Sequence, residues 1–299
     1  MTIDVDAVRN WSFPALRQTY TERDTILYAL ALGYGSDPAN DAELRFVYER
    51  ELVAMPTMAV TLCHPGFWIA DPRTGIDARK VVHGEQFSTF HRPLQASGSV
   101  VAQMRITGII DKGRDKGALV MTERILSDAA TGDRIATLEQ KTLCRADGGF
   151  AATTPGFRND EHKVARQQAP MLPRAETSPD YVVDLPVSPQ AALLYRLSSD
   201  PNPLHADPAV ARAAGFPHPI LHGLCSYGIV ARAIVQACGG GNPHALKYLG
   251  VRFSAPLYPG ETLRTQMWRV DGGVQFDCIA QERGVMVMSN GVAEMDERG

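Results

Sequence analysis

One helical segment restricts the possible folds of this chain more than any other feature. From Gly223 to Cys238 the sequence is GLCSYGIVARAIVQAC, which is apolar on nearly every face of a helix. A surface helix keeps a polar face, so a helix of this kind has to be enclosed by other structure. The three glycines at 239–241 end it. The sequence therefore predicts a fold in which other elements wrap around this helix.

The rest of the pattern supplies strands for that purpose. After the helical segments TERDTILYALALG and PTMAVTLCHPGFW, β-rich runs alternate with turn sequences such as DKGRDKG and ATGD. A second series of strands begins at Tyr248. The first series lies at about 79–91, 99–111, 117–128 and 133–145. We therefore predict an α+β fold of the double hot-dog type, in which two antiparallel sheets each wrap round a long helix as a pseudo-dimer within one chain.

The length and one irregular segment predict where the two units meet. The 299 residues are enough for a substantial core and for two units of ordinary size. Residues 151–180 lack a sustained period and are rich in proline and charge, which is typical of a linker. We therefore predict an N-terminal hot-dog over 1–150, a linker over 151–180 and a C-terminal hot-dog over 181–299.

Charge and cysteine content exclude several classes of protein. The net charge is −3 with both signs scattered along the chain, so there is no basic footprint for nucleic acid. No stretch approaches the roughly 20 apolar residues that span a bilayer. Five widely spaced cysteines without a CxxC pair favour reduced thiols. The acidic start MTIDVDAVRNW is unlike a secretory leader, and the final ERG is unlike a peroxisomal signal. We expect a cytoplasmic protein with no nucleic-acid or membrane partner.

The segment SSDPNPLH, at 198–205, has the composition of an acid/base site. Asp200 and His205 can each take or give a proton and can hold a water between them, and Asn202 can orient that pair. Pro201 and Pro203 restrict the backbone between them. Acid/base catalysis depends on heavy-atom distances near ~3 Å, which a stiff loop can hold. We interpret this loop as catalytic.

Gly223 supplies a different chemical group close by in sequence. It opens the enclosed helix, where backbone N–H groups lack intrahelical partners and the helix dipole favours negative charge. An N–H at this position, with no side chain in the way, can stabilise an oxyanion. We expect no metal, because His205, His218 and His222 lack a zinc-ligand spacing or carboxylate-rich company.

The segment YRLSSDPNPLHADP, with AGFPHPILHGLCSYG after it, resembles the signature of the MaoC-like hydratase family. This is the (R)-specific enoyl-CoA hydratase, or hydratase 2, family, which also supplies the hydratase domain of the peroxisomal multifunctional enzyme of fatty-acid β-oxidation. The family pattern is close to S-G-D-x-N-P-x-H-x-D followed by H-G, and Ser199 stands here in place of the glycine. The segments VVHGEQF, DKG and VRFSAPLYPGETL are similar to the long members with two hot-dogs.

The resemblance implies a reaction and a set of roles. The reaction is the reversible syn addition of water to a trans-2-enoyl-CoA, which gives an (R)-3-hydroxyacyl-CoA. Asp200 and His205 hold the water, Asn202 orients them and Gly223 stabilises the thioester oxyanion. The N-terminal unit, which lacks a second D-x-N-P-x-H, accommodates the acyl chain. No cofactor is required beyond the coenzyme A of the substrate, and the long members resemble homodimers. The expected substrate contacts are His83, Gly84, Lys112, Pro201, Pro203, Leu204 and Phe253, with Arg252 as an alternative contact for the CoA phosphates.

Three other functions remain open at this point. A 3-hydroxyacyl-[acyl-carrier-protein] dehydratase would use the same site but needs a basic docking patch, and the sequence shows no obvious one. An acyl-CoA thioesterase and a non-catalytic acyl-CoA-binding subunit use the same fold, although a binding subunit has no need for a poised acid and base. A dinucleotide enzyme is disfavoured because no G-x-G-x-x-G follows a strand.

Overall fold

The structure is a computed structural model, and it describes residues 3–160 and 177–296. The strands within these ranges are β1 (Leu16–Tyr20), β2 (Val81–Phe90), β3 (Gly98–Asp111), β4 (Ala118–Asp128), β5 (Arg134–Cys144), β6 (Tyr181–Pro186), β7 (Leu246–Phe253), β8 (Thr262–Val270), β9 (Gly273–Ala280) and β10 (Val285–Met295). They pair antiparallel throughout, in the order β1-β3-β4-β5-β2-β7-β10-β9-β8-β6. The four strands predicted in the first half are present to within about two residues at each end.

The strand order shows that the two halves repeat one arrangement. Counted within each half, the order is 1-3-4-5-2 in the first and 2-5-4-3-1 in the second, related about the β2–β7 pair. At this junction Glu85 lies opposite Arg252, and Phe87 lies opposite Gly250. The two antiparallel sheets of the predicted pseudo-dimer are therefore joined edge to edge into one continuous sheet.

Helices lie on this sheet and lead into its strands. They are α1 (Val5–Arg9), α2 (Glu22–Ala31), α3 (Leu44–Val47), α4 (Ala191–Tyr195), α5 (Pro208–Ala213) and α6 (Gly223–Cys238). The predicted cap of α2 is present, because the Asp24 side chain accepts the Thr21 N–H at 2.7 Å. Gly33 follows the helix with φ +85°, a conformation that favours glycine and ends the helix.

Helix α6 is enclosed, as its composition predicts. Every residue from Cys225 to Val235 is buried. The helix packs against β6, β7, β8 and the 3₁₀ helix Pro56–Val60 of the first half. Its charged residue Arg232 donates to the Leu32 carbonyl at 3.0 Å and pairs with Glu43 at 2.6 Å. Within the described ranges, every helix is too short or too polar to cross a bilayer.

The first half encloses a shorter element than the sequence predicts. The segment before β2 forms the 3₁₀ helix Pro56–Val60, all of it buried, where the second half has α6. Beyond it, Cys63 and Gly66 have φ values of +50° and +73°. Pro65 disfavours a helical conformation at the residue before it. The chain therefore turns away before an α-helix can extend, and the expectation of a long helix holds for the second half only.

Most of the predicted linker, residues 161–176, lies outside the described residues. The part that precedes it is packed against the sheet, since Asp160 accepts the Ile109 N–H at 2.9 Å and pairs with Arg9 at the same distance. On the far side, the Trp268 indole donates to the Thr177 carbonyl at 3.0 Å. The described ends of the linker are therefore anchored to the two halves of the sheet.

Candidate active site

The loop between α4 and α5 is held by its own polar groups. The Asp200 Oδ1 accepts the Asn202 N–H at 3.0 Å, and the Asn202 Oδ1 accepts the Leu204 N–H at 3.0 Å. Pro203 begins the 3₁₀ helix Pro203–His205, where its missing N–H has no consequence. The sequence DPNPLH therefore folds as two successive Asx turns. The Asn202 Oδ1 caps this turn, and the Asn202 backbone N–H orients the Asp200 carboxylate.

Asp200 and His205 face each other across a gap. The Asp200 Oδ2 lies 4.0 Å from the His205 Nε2, which is too long for a direct hydrogen bond. The His205 Nδ1 lies 2.9 Å from the Ile220 carbonyl oxygen, so the neutral ring carries its hydrogen on Nδ1 and donates it there. The His205 Nε2 and the carboxylate are then two acceptors directed at one space. A water in this space would donate one hydrogen to each.

Burial distinguishes the two groups chemically. The His205 side chain is 10% exposed and the Asp200 side chain is 41% exposed. Burial lowers the pKa of His205 below its ordinary 6.5, while the Ile220 carbonyl and the Asp200 carboxylate oppose this shift. His205 is therefore neutral, and able to accept a proton, at neutral pH. A molecule that enters from solvent can reach the carboxylate beside it.

His222 is a part of the site that the loop motif does not reveal. Its ring stacks on His205 with the centroids 3.7 Å apart, and its Nε2 donates to the Asp200 backbone carbonyl at 3.1 Å. Burial, and then the neighbouring His205, lower the pKa of His222 to about 4, so the ring is neutral. His222 therefore holds the loop in place without adding charge. The H-G pair at 222–223 was the sequence signal for it.

Gly223 and two predicted substrate contacts lie together beside this loop. Gly223 is the first residue of α6, where N–H groups lack intrahelical partners. A Cβ on Gly223 would lie 3.4 Å from the Phe253 ring. The Phe253 ring in turn meets His83 edge-on, with the centroids 4.9 Å apart. The site is therefore built from both halves of the chain, because His83 belongs to β2.

His83 and Gly84 occupy a bulge in β2. The β2–β5 register shifts between His83 and Glu85, and a Cβ on Gly84 would lie 3.0 Å from the Lys141 carbonyl oxygen. Burial lowers the pKa of His83 to about 4, and its buried Nε2 has no hydrogen-bond partner among the described residues. A bulge re-aims side chains at a strand edge. Here it places an unsatisfied imidazole nitrogen next to Phe253.

The other predicted contacts are exposed or half-buried. Arg252 donates from Nε and Nη2 to the Glu85 carboxylate at 2.9 and 2.8 Å, so part of its charge is already offset. Lys112 is exposed in the turn between β3 and β4. The loop residues Pro201 and Pro203 are exposed, and Leu204 is half-buried.

The fold brings together donor atoms that the linear spacing separates. One atom that could bind a metal ion, from each of Asp200, His205 and His222, lies within 4.8 Å of the others. The linear spacing of the histidines, on which the prediction of no metal depends, therefore does not reflect their distances in space. Each imidazole already has one nitrogen on a backbone carbonyl, at Ile220 and at Asp200. That no metal takes part stays a prediction.

Comparisons with known proteins agree with the two-unit organisation. A family model described as the MFE-2 hydratase 2 N-terminal domain matches residues 18–146. A second model, described as a MaoC like domain, matches residues 171–290. The two matches follow one another in the order expected from the resemblance.

Full-length relatives extend this likeness. The chain is 37% identical to 3-hydroxyacyl-thioester dehydratase Y of Mycobacterium tuberculosis, over 91% of this chain and 90% of that protein. It is also 37% identical to enoyl-CoA hydratase ChsH3 of the same organism, over 98% of each. The crystal structure of a MaoC-like dehydratase from Phytophthora capsici superposes with a TM-score of 0.81 at 31% identity, over 99% of this chain and all of that one. The chain therefore belongs to the MaoC-like hydratase family of the hydratase 2 type.

Proposed function

We propose that this protein is an (R)-specific enoyl-CoA hydratase, which adds water reversibly to a trans-2-enoyl-CoA to give an (R)-3-hydroxyacyl-CoA. The observation that carries the proposal is the 4.0 Å gap between the Asp200 Oδ2 and the His205 Nε2, with both atoms free to accept from one water. The relatives named as an enoyl-CoA hydratase and a 3-hydroxyacyl-thioester dehydratase support the same reaction in its two directions.

In the proposed reaction each group has one role. Asp200 and His205 hold the water, and one of them removes a proton as the water oxygen adds to C3. A proton passes to C2 from the same side of the double bond. The sum is one hydroxyl on C3, one hydrogen on C2, and both protein groups returned to their starting states. Because both groups approach one face of the alkene, the addition is syn.

The negative charge that develops on the thioester oxygen needs a donor. The Gly223 N–H, at the start of the 16-residue helix α6, supplies it with the favourable end of the helix dipole behind it. In this arrangement residues 181–299 carry the chemistry. Residues 1–150 contribute His83 and the space for the acyl chain.

Two substitutions test the assignment. We expect Asp200→Asn and His205→Gln each to lower kcat for hydration by about 10²- to 10⁴-fold, because each removes a group that handles the proton. The matched control is His218→Gln, whose ring packs against Tyr258 and not against the pair. Circular dichroism shows whether each variant is folded. Near wild-type turnover in folded Asp200→Asn and His205→Gln would reject the proposal.

One observation favours a second candidate, a dehydratase that acts on acyl-carrier-protein thioesters. Exposed cations lie together at one end of the part of the sheet that belongs to the first half. Arg145 follows β5 and lies beside Lys80, because the Arg145 N–H donates to the Lys80 carbonyl at 3.1 Å. The adjoining β3–β4 turn adds Lys112, Arg114 and Lys116, together with Asp115. This basic edge, which the sequence does not show, is about 10 Å along β2 from His83. It suits the CoA phosphates or an acidic carrier protein.

The carrier can be identified with three thioesters of one trans-2-enoyl group, on CoA, on acyl carrier protein and on pantetheine. We expect CoA to be preferred over the carrier protein. We also expect the double substitution Lys112→Gln with Arg145→Gln to raise KM for the CoA thioester. The pantetheine thioester lacks the nucleotide phosphates, so its turnover should not change. A higher kcat/KM for the carrier protein would support the second candidate instead.

We also propose a reducing cellular location, such as the cytoplasm, and a homodimer. All five cysteines lie in the described residues and none of them forms a disulfide there, which suits a reducing compartment. Leu193 and Leu197 are 51% and 61% exposed and lie four residues apart beside the catalytic loop. Together they offer an apolar surface to a second copy. Light scattering on the wild type and on Leu193→Ser with Leu197→Ser tests the dimer, which the double substitution should weaken.

A further inference from the structure

A cavity of about 320 Å³ lies on the inner face of the first half-sheet. Ala102 of β3 and Arg124 of β4 form its floor, and the loop residues Cys63 and Pro65 line one side. The aromatic rings of Trp11, Phe13 and Trp68 form another wall, packed on one another with centroids 5.1 to 5.4 Å apart. The volume is at the lower end of the range for small-molecule pockets.

Arg124 is an unusual residue for such a cavity. Its side chain is buried, at 8% exposed, and donates to the Val60 carbonyl at 2.7 Å and to the Cys63 carbonyl at 3.0 Å. These two neutral carbonyls use two of the five N–H donors of a guanidinium and leave its charge uncompensated. Asp71, which also lines the cavity, is paired with Arg73 at 2.9 Å. Within residues 3–160 and 177–296, no carboxylate forms an ion pair with Arg124.

Holding the carbonyls of Val60 and Cys63 does not require a charge. A buried cation is costly unless a counter-ion accompanies it, and burial lowers the pKa of Arg124 only to about 10, so the charge remains at neutral pH. A polar, uncharged side chain could meet the same two acceptors. The charge therefore suits an anion that enters the cavity from outside the chain.

The segment that Arg124 holds connects the cavity with the catalytic side of the molecule, because the 3₁₀ helix Pro56–Val60, whose Val60 carbonyl accepts from Arg124, packs against α6. The cavity wall residues Cys63 and Pro65 flank His64. The surrounding protein and the Arg124 charge lower the pKa of His64 to about 4, against the opposing influence of the Asp200 carboxylate. His64 thus lies within electrostatic reach of both the catalytic acid and the buried guanidinium. Tyr195, beside His222, is in range of the same two charges.

From these observations we propose that the preferred substrate is an enoyl-CoA whose acyl group ends in a carboxylate, and that Arg124 is the residue that selects it. The inference rests on the proposed hydratase activity, because it places the thioester end of the substrate at Asp200 and His205. The acyl chain then passes His64 into the aromatic-walled cavity. Its terminal carboxylate meets the forked donors of the guanidinium, a charge-assisted pairing that an ordinary fatty acyl chain cannot make.

The test compares two series of trans-2-enoyl-CoA thioesters of matched length, one ending in methyl and the other in carboxylate. For the wild type, we expect the best carboxylate-ended member to exceed its methyl-ended partner in kcat/KM by about ten- to a hundredfold, the range of one charge-assisted interaction. Arg124→Met keeps the length of the side chain without the charge. It should abolish this preference, mainly through a higher KM for the carboxylate-ended members.

The matched control is Arg105→Met on the neighbouring strand. Arg105 projects from the opposite face, is 70% exposed and pairs with Glu123, so its loss should leave the preference unchanged. If Arg124→Met does not fold, the wild-type preference and the variant Arg124→Lys, which keeps the charge and loses the fork, still decide the question. A wild type that prefers methyl-ended chains, or an Arg124→Met variant with an unchanged preference, would overturn the inference. If the wild type hydrates neither series, the proposed function itself fails.

Discussion

The orientation of one imidazole decides what the catalytic loop can do. The Ile220 carbonyl takes the hydrogen of the His205 Nδ1 at 2.9 Å, so the Nε2 lone pair faces Asp200. The stacked His222 ring, held on the Asp200 backbone carbonyl, fixes the plane of the His205 ring. In the other neutral tautomer of His205, the Nε2 would carry the hydrogen and could not accept one from a water.

The pH dependence of the rate follows from this arrangement. Burial lowers the pKa of His205 below 6.5, so the imidazole stays neutral until the pH falls through that lowered value. Below it the ring takes a proton and can no longer act as a base. We expect the acid limb of the kcat/KM profile to lie below pH 6.5. Initial rates measured against pH, with His218→Gln as the control, locate this acid limb. An acid limb above pH 6.5 would contradict the account.

The sequence predicts which residues of the loop matter better than it predicts the role of each. Residue types and two prolines were enough to single out Asp200, Asn202 and His205, and the structure does bring the acid and the imidazole together. The Asn202 Oδ1 also caps the turn, a role that depends on local hydrogen bonds that residue type alone does not specify. His222 comes from beyond α5, and only the folded chain places it on His205.

Among the elements, α6 does most to position the site, because its first residue carries the proposed oxyanion donor and its body is enclosed. Arg232 is charged in the middle of this buried helix, and Glu43 of the first half neutralises it at 2.6 Å. The Arg232 guanidinium also lies over the Tyr34 ring, 4.6 Å from its centroid. This pair therefore joins α6 to the segment that follows α2.

Removal of one partner should be costly. We expect Glu43→Gln to lower the free energy of unfolding by about 3–5 kcal/mol, since it leaves the buried Arg232 charge without a counter-ion. The control is Asp184→Asn, in an ion pair with Arg264 whose two side chains are more than a third exposed, where the loss should be at most about 1 kcal/mol. Urea unfolding of the three proteins measures both values. Equal losses in the two variants would show that the Arg232–Glu43 pair does not stabilise α6.

Periodicity and turn residues located the strands, but they did not fix the helix of the first half. Alternating apolar residues between strong turn signals leave little freedom in a strand, which explains the close agreement for β2 to β5. PTMAVTLCHPGFW has enough apolar residues for a helix, yet Pro65, the positive φ of Cys63 and the turn at Gly66 limit it to the 3₁₀ helix Pro56–Val60. Burial by the surrounding sheet then stabilises a conformation that local propensity would not select.

Over the whole molecule, the two halves form one continuous structure. Strands β2 and β7 pair directly, α6 packs on the 3₁₀ helix of the first half, and one apolar core includes residues of both halves. The duplication and the double hot-dog fold were predictable from repeated patterns, and both are confirmed. The edge-to-edge union of the sheets and the basic edge were not, because both depend on which strand ends meet in space.

This continuity predicts the form of thermal unfolding. We expect a single calorimetric transition whose measured enthalpy equals the van't Hoff enthalpy. Gly250→Ala, where a Cβ would lie 2.8 Å from the Phe87 ring across the β2–β7 junction, should lower the midpoint of that one transition. Two separate transitions in the wild type would mean that the halves unfold independently.

The stereochemistry of hydration tests the central claim most directly. A trans-2-enoyl-CoA incubated with the protein in deuterium oxide receives oxygen at C3 and deuterium at C2 from whatever groups act on it. With Asp200 and His205 on one side of the alkene, we predict an (R)-3-hydroxyacyl-CoA with both additions on the same face, measured by chiral chromatography and NMR coupling constants. Addition to opposite faces would contradict the shared water between these two side chains, and an (S) product would contradict the proposed (R) specificity.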